Sequence, residues 1–245
     1  MKVTLEELKR GELDVVGQLI DASNGSLLCR LALASDDAGK LSNAEAPLVI
    51  YKPTAGERPL WDFPDGTLSR REVAAYVVAE SLGWEIVPPT VWREGPVGPG
   101  MVQVWVDVDE NVDLVALVQS DHAALRRIAV FDALINNGDR KGGHLLPTAD
   151  GTIWGIDHGV SFAVDDKLRT VLWQWRGLPI PESLVKDIEN WLQRMTSDGS
   201  AIGVLSELLD DDEIEILLKR GRQLVGNGRH PQPSPDWPAI PWPPF

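Results

Sequence analysis

Cysteine is nearly absent: the 245 residues hold one, Cys29, set between Leu28 and Arg30 in an apolar run. A single thiol allows no internal disulfide framework, and such sparing use suits a reducing cytoplasm. Long apolar runs are missing too. None approaches the ~20 residues that span a bilayer, and the opening Met1-Lys2-Val3-Thr4-Leu5-Glu6-Glu7-Leu8 carries acids where a signal peptide would need an apolar core. The expectation is a soluble, cytoplasmic protein with no integral membrane contact. Positive charge is scarce: 23 Lys and Arg against 37 Asp and Glu give a net charge of -14 and a pI near 4.7. So acidic a surface repels phosphate backbones and anionic head groups, which argues against nucleic acid or bulk membrane as general partners. The basic clusters Ser69-Arg70-Arg71 and Lys219-Arg220-Gly221-Arg222 are too short to reverse that balance. What is present is globular: 43% hydrophobic and 24% charged residues, in a chain long enough for one domain or two small lobes, without an internal repeat.

The chain is organised around residues 136–159. A polar, glycine-bearing loop holding Asp139 and His144 runs into the apolar pair Leu145-Leu146, a turn at Asp150-Gly151, the apolar run Ile153 to Ile156, and then Asp157. This reads as loop, strand, turn, strand, acid. A hairpin of that kind brings Asp139 and Asp157 to one end. Two carboxylates and an imidazole gathered there suit phosphoryl transfer with a divalent metal, one acid orienting the acceptor hydroxyl and the others holding the metal. The plain alternative is that Asp139 closes a turn after a helix and Asp157 caps the next segment.

In chain order, Thr4 and Glu7 form a capping box that opens a helix to Arg10. Leu13 to Ile20 and Leu27 to Leu33 flank Asn24-Gly25, a hairpin signal whose tip, Ser23 to Ser26, is either an ordinary exposed turn or a cover for phosphates. Leu48 to Tyr51 is a short strand ended by Lys52, whose ammonium can project into a cleft or simply be solvated. A helix spans Ser69 to Leu82 and stops at Gly83. In it Glu72 is either the third residue of a capping box begun by Ser69 or an ion-pair partner of Lys52. Ile86 to Trp92 is extended, Gly95 to Gly100 is a loop, Met101 to Val106 is a strand, and the acidic 107–113 segment is a connector. Residues 1–106 thus read as an antiparallel sheet with one long helix. A helical part, 107–226, comes next: a helix from Ser120 to Asn136, the aromatic stretch Leu172 to Gly177 as core or else a substrate shelf, an amphipathic helix after Pro181, and helices from Ala201 to Leu209 and Asp211 to Val225. From Asn227 the tail is proline-dense and reads as an extended strap packing Trp237 and Trp242 onto the helices.

This order of parts resembles the protein-kinase-like fold, an α+β architecture of two lobes, and within it the phosphatidylinositol 3-/4-kinase branch and its bacterial relatives, including HipA-type kinases. The residues that carry the resemblance are Tyr51-Lys52-Pro53 with Gly56-Glu57, Arg71-Glu72-Val73-Ala74-Ala75-Tyr76, Val87-Pro88-Pro89-Thr90, Asn137-Gly138-Asp139-Arg140 and Ile156-Asp157-His158-Gly159. The resemblance implies an ATP-dependent kinase. Ser23, Asn24, Gly25 and Ser26 would cover the ATP phosphates, Lys52 would contact them with Glu72 in support, and Gln103, Val104, Trp105 and Val106 would lie against adenine. Asp139 would be the acid/base and Asp157 a ligand of Mg2+ or Mn2+. The chain departs from the family pattern at His144, where asparagine is usual, at Gly142, where lipid kinases carry another asparagine, and at His158, where phenylalanine is commoner. Neutral imidazole favours softer ions such as manganese, so His144 implies either a shifted metal preference or weakened catalysis. The expected acceptor is a hydroxyl on a protein or small molecule. A nucleotide-binding pseudokinase that docks partners and an adenylyl transferase are the alternatives.

Overall fold

The computed structural model describes residues 3–19, 25–32, 46–197 and 199–245. Ser23 and Asn24 therefore lie outside the described residues. A five-stranded antiparallel sheet takes the order β1 (Glu12–Gln18), β2 (Leu27–Ala32), β3 (Leu48–Pro53), β5 (Gly98–Val104), β4 (Thr90–Gly95). One of its faces packs a small core of Leu8, Leu13, Cys29, Leu31, Val49, Tyr51, Val91 and Val102, with Leu8 supplied by α1 (Leu5–Arg10). The Thr4–Glu7 capping box that opens α1 is formed as expected. On β3 the burial alternates, Val49, Tyr51 and Pro53 facing one way. The two-residue period of a strand then sends Lys52 to the opposite face from Tyr51.

The larger core lies between helices. Ala74, Ala75, Val78, Ala79 and Leu82 of α2 (Leu68–Ser81) pack with α4 (Ala123–Ile135), α5 (Glu182–Ser197) and α7 (Asp211–Asn227), as well as Trp173 and Trp175. The reading of 172–177 as core is met by Leu172, Trp173 and Trp175, all buried. β6 (Leu145–Pro147) and β7 (Ile153–Gly155) pair antiparallel, Leu145 opposite Gly155, so the hairpin read from the sequence is present.

Several expectations need correction. The segment 107–113 is not only a connector: Asp113 accepts from Ala116 N–H and caps α3 (Leu114–Gln119), and Ser120 closes that helix rather than opening the next. The helix α4 starts at Ala123, capped by His122, whose Nδ1 accepts the Ala124 amide at 3.2 Å, while Ser120 is taken up in closing α3. Gly95 to Gly100 is not a long loop. β4 and β5 run up to Gly95 and Gly98, joined through Pro96 and Val97 with Gly98 at φ 95°, and β5 ends at Val104, leaving Trp105 and Val106 beyond it. The helix α6 occupies Gly199–Ser206. In the tail Trp237 does stack on Trp61, with centroids 6.2 Å apart, but Trp242 is 88% exposed and packs on nothing that would bury it.

Candidate active site

Lys52 leaves β3 between two carboxylates. Its Nζ lies 2.5 Å from Glu72 Oε1 and 2.9 Å from Asp157 Oδ1. Glu72 is held from the other side as well, Oε2 accepting from His158 N–H at 3.0 Å. This overturns its capping-box reading. Thr67, not Ser69, precedes α2, and the helix's first amides, Leu68 N–H and Ser69 N–H, donate instead to the Glu57 carboxylate at 3.1 and 2.7 Å. A carboxylate from outside the helix satisfies the orphan donors and suits the positive end of the dipole, which frees Glu72 for the lysine.

Burial pushes the Lys52 ammonium down, yet Asp157 and Glu72 together hold it above its ordinary value. Glu72 is raised by burial against the pull of Lys52, and Asp157 is held far below the usual carboxylate range by Lys52, with His144 adding to the effect. Asp157 has a left-handed backbone, φ 59°, unusual for a residue with a side chain and a kind of strain that gathers at functional sites.

The second group stands on the loop after α4. Asn136 ends that helix in the left-handed conformation, its side chain bonding Ala163 O, Asp165 O and Lys167 N–H. Asn137 donates to Asp132 Oδ1 and accepts from Asp139 N–H, both at 3.0 Å. Asp139 is thereby aimed, with Lys141 Nζ 3.4 Å from its Oδ2. Burial raises the Asp139 carboxyl above its ordinary value, Lys141 opposing and Asp157 adding to the rise. His144 closes the 3-10 turn Gly142–His144 and sets Nε2 3.3 Å from Asp157 Oδ2. Burial lowers its pKa to about 4, so the ring is neutral at pH 7. Lys141 N–H faces its Nδ1 at 3.5 Å, the outer limit of a hydrogen bond, and the Asp157 carboxylate faces its Nε2, an arrangement that places the ring proton on Nε2, so that Nε2 could ligate an ion only once this proton has moved.

Arg140 staples these parts together. Fully buried, it meets the Asp132 carboxylate with Nε and Nη2, donates through Nη1 to Ile156 O at 2.8 Å and His144 O at 3.3 Å, and approaches His158 Nε2 at 2.7 Å. Since Arg140 can only donate, His158 accepts through Nε2, and its neutral ring stands edge-on to Phe131. Burial, reinforced by Arg140, holds His158 well below its ordinary value. One guanidinium therefore fixes both chain segments that flank the hairpin, and with them His144 and Asp157.

Of the residues expected at the site, Lys52, Glu72, His144 and Asp157 are in direct contact, and Asp139 is close enough to Asp157 for each charge to be felt. Gly25 approaches Gly56, in the turn after Lys52: a Cβ built on Gly25 would stand 3.5 Å from the Gly56 Cα. Ser26 is buried beside it. Gln103 is buried with its amide spent on Thr90 Oγ1 at 2.8 Å, and the Val104 and Trp105 amides donate to Pro89 O and Leu48 O. Sequence reasoning missed Asp132, Lys141 and the use of Arg140. An acid within the apolar run Ile128 to Ile135 was the available signal for Asp132.

Among the described residues no group of three or more His, Cys, Asp or Glu side chains forms a metal cage. His144 and Asp157 supply two donors on one edge, a neutral imidazole and a carboxylate, a set that fits a divalent ion completed by water and phosphate oxygens. No helix among the described residues is long and apolar enough to cross a membrane.

No family profile matches the chain. In solved structures it is similar to CtkA, a proinflammatory kinase of Helicobacter pylori, with a TM-score of 0.51 at 13% identity over 88% of this chain and 92% of that one. HipA of Shewanella oneidensis MR-1, solved with HipB and operator DNA, matches at a TM-score of 0.44 and 14% identity over 87% of this chain and 65% of that one. The fold is accordingly the two-lobed protein-kinase-like one, with an antiparallel sheet lobe and a mainly helical lobe. In sequence the chain is 39% identical to Protein Rv2133c of Mycobacterium tuberculosis over 97% of its own length and 94% of that protein's. The chain belongs to the family of Protein Rv2133c.

Proposed function

We propose that the protein is an ATP-dependent phosphotransferase of the phosphatidylinositol 3-/4-kinase-like type, moving the γ-phosphate to a hydroxyl on a protein or small molecule. The observation that carries this reading is the convergence of Lys52, Glu72, His144 and Asp157 beside Asp139 on a kinase-like fold. The sheet lobe, 1–106, supplies Lys52, Glu72 and the tip around Ser26; the lobe 107–226 supplies Asp139, His144 and Asp157, and 227–245 is a tail. Glu72 holds the Lys52 ammonium where phosphate oxygens would meet it as a point charge. Asp139, kept by burial from being too weak a base, accepts the acceptor hydroxyl's proton, and Lys141 beside it balances the negative charge gathering there. His144 and Asp157 would hold a divalent ion, Mg2+ or, given the imidazole, Mn2+, which when bound neutralises phosphate charge.

The test is purified protein with γ-labelled ATP and either metal, comparing wild type with Asp139→Asn and Asp157→Ala. Label transfer or hydrolysis that disappears in both variants is expected. ATP binding without turnover under either metal would favour a pseudokinase, and release of pyrophosphate would favour adenylyl transfer.

A further inference from the structure

The tail is pinned along its length. His230 N–H donates to Leu178 O at 2.9 Å, Trp237 stacks on Trp61 with the Lys167 ammonium 5.1 Å from its ring centre, and Ala239 O accepts from Thr170 N–H and Trp173 Nε1–H. Its last contact is of a different kind. Pro244 O accepts Gly142 N–H at 2.8 Å, and the Phe245 ring covers the Gly142 α-carbon so closely that a Cβ built there would collide with it. Gly142 lies between Asp139 and His144 and opens the 3-10 turn that His144 closes; within it His144 N–H donates to Lys141 O at 3.2 Å. No hydrogen bond or ion pair among the described residues joins the tail to Lys52, Glu72 or Asp157.

Resting on the phosphotransfer reading, we infer that Pro244 and Phe245 are positioning residues: by holding Gly142 they set where His144 stands opposite Asp157, and so govern affinity for the divalent ion rather than for the nucleotide. With two protein donors on one edge, displacing either is felt directly by the ion, as it is wherever outer contacts orient a metal ligand. The geometry also leaves room only for glycine at position 142. Any side chain there would take the space of the Phe245 ring. Phe245 is 49% exposed, so removing its ring leaves the helical core intact.

The experiment compares wild type with Phe245→Ala, Gly142→Ala, the double variant and Phe245→Tyr, measuring the Mn2+ concentration for half-maximal rate, the KM for ATP, and thermal unfolding. Phe245→Ala should raise the Mn2+ requirement about tenfold, with the KM for ATP within about twofold and Tm unchanged, and Phe245→Tyr should restore it. The two alanine changes should be less than additive, because removing the ring makes room for the methyl. Equal shifts in metal and ATP dependence, full additivity, or no shift would overturn the inference. Hydrogen exchange at the Gly142, Gly143 and His144 amides separates this from the functional reading. Wild type that binds neither ATP nor Mn2+ sinks phosphotransfer, whereas exchange unchanged by Phe245→Ala sinks the positioning role whether or not turnover is found.

Discussion

Replacing Arg140 by methionine should lower the unfolding temperature far more than any surface charge change. Arg140 and Asp132 are both 0% exposed, and the guanidinium meets the carboxylate at 2.9 Å through two nitrogens while serving Ile156 O and His144 O. Without it the carboxylate keeps Asn137 Nδ2, at 3.0 Å, as its remaining side-chain donor. Breaking a buried pair from one side costs about 3–5 kcal/mol, because the remaining charge stays buried uncompensated. Against a total stability of roughly 5–15 kcal/mol this is a large fraction. For a chain of this size, at about 2–4 °C per kcal/mol, Tm should fall by roughly 6–20 °C. Calorimetry or circular dichroism reads the shift. The pair Arg140→Met with Asp132→Leu should recover part of it, since both charges then leave together. A Glu6→Gln control breaks the pair with Arg10, whose side chains are 63% and 82% exposed, and should move Tm by no more than about 2 °C. Were Arg140→Met to unfold within about 3 °C of wild type, the staple would not carry the load assigned to it.

Two further predictions concern charge. Glu72→Gln removes the carboxylate 2.5 Å from Lys52 while leaving Asp157 to pair with it, so the fold should survive and kcat/KM should drop by about tenfold to a hundredfold, as for loss of one charged hydrogen bond; unchanged turnover would remove Glu72 from the site. His230 is buried, accepts from Arg126 Nε, and has its pKa lowered to about 4 by burial and by Arg126. Unfolding frees it to take up a proton near pH 6.5, so its share of stability is fully present above that value and is lost as pH falls toward 4, by up to about 3 kcal/mol. His230→Gln should therefore narrow the gap in denaturation midpoint between pH 7 and pH 4, and an unaltered gap would refute the assignment.

The hairpin after His144 was legible because two apolar stretches around Asp150-Gly151 admit little else, and its closure sets His144, at the end of the loop that holds Asp139, beside Asp157. That Lys52 ends a strand was legible too, but cleft or solvent stayed open until Glu72 and Asp157 met its ammonium. Glu72 was not: capping box and ion pair fit the same spacing, and the choice fell to Glu57, whose carboxylate reaches the α2 amides across a loop. The helix α3 was hidden because its cap, Asp113, lies in a run of acids that reads as a connector.

The amino-acid sequence by itself determined an antiparallel sheet with one long helix followed by a helical part, the strand that Lys52 ends and the order in which lysine, glutamate and aspartates arrive, because these depend on local periodicity and turn chemistry; the kinase-like class came from the resemblance of that order to a known fold. Only the tertiary structure decided which carboxylate meets which cation, that Arg140 ties Asp132 to both flanks of the hairpin, and that Phe245 rests on Gly142. Those pairings join residues from 8 to more than a hundred positions apart. What selects them is buried charge needing a partner and a ring needing space, and both are settled only once the core has closed.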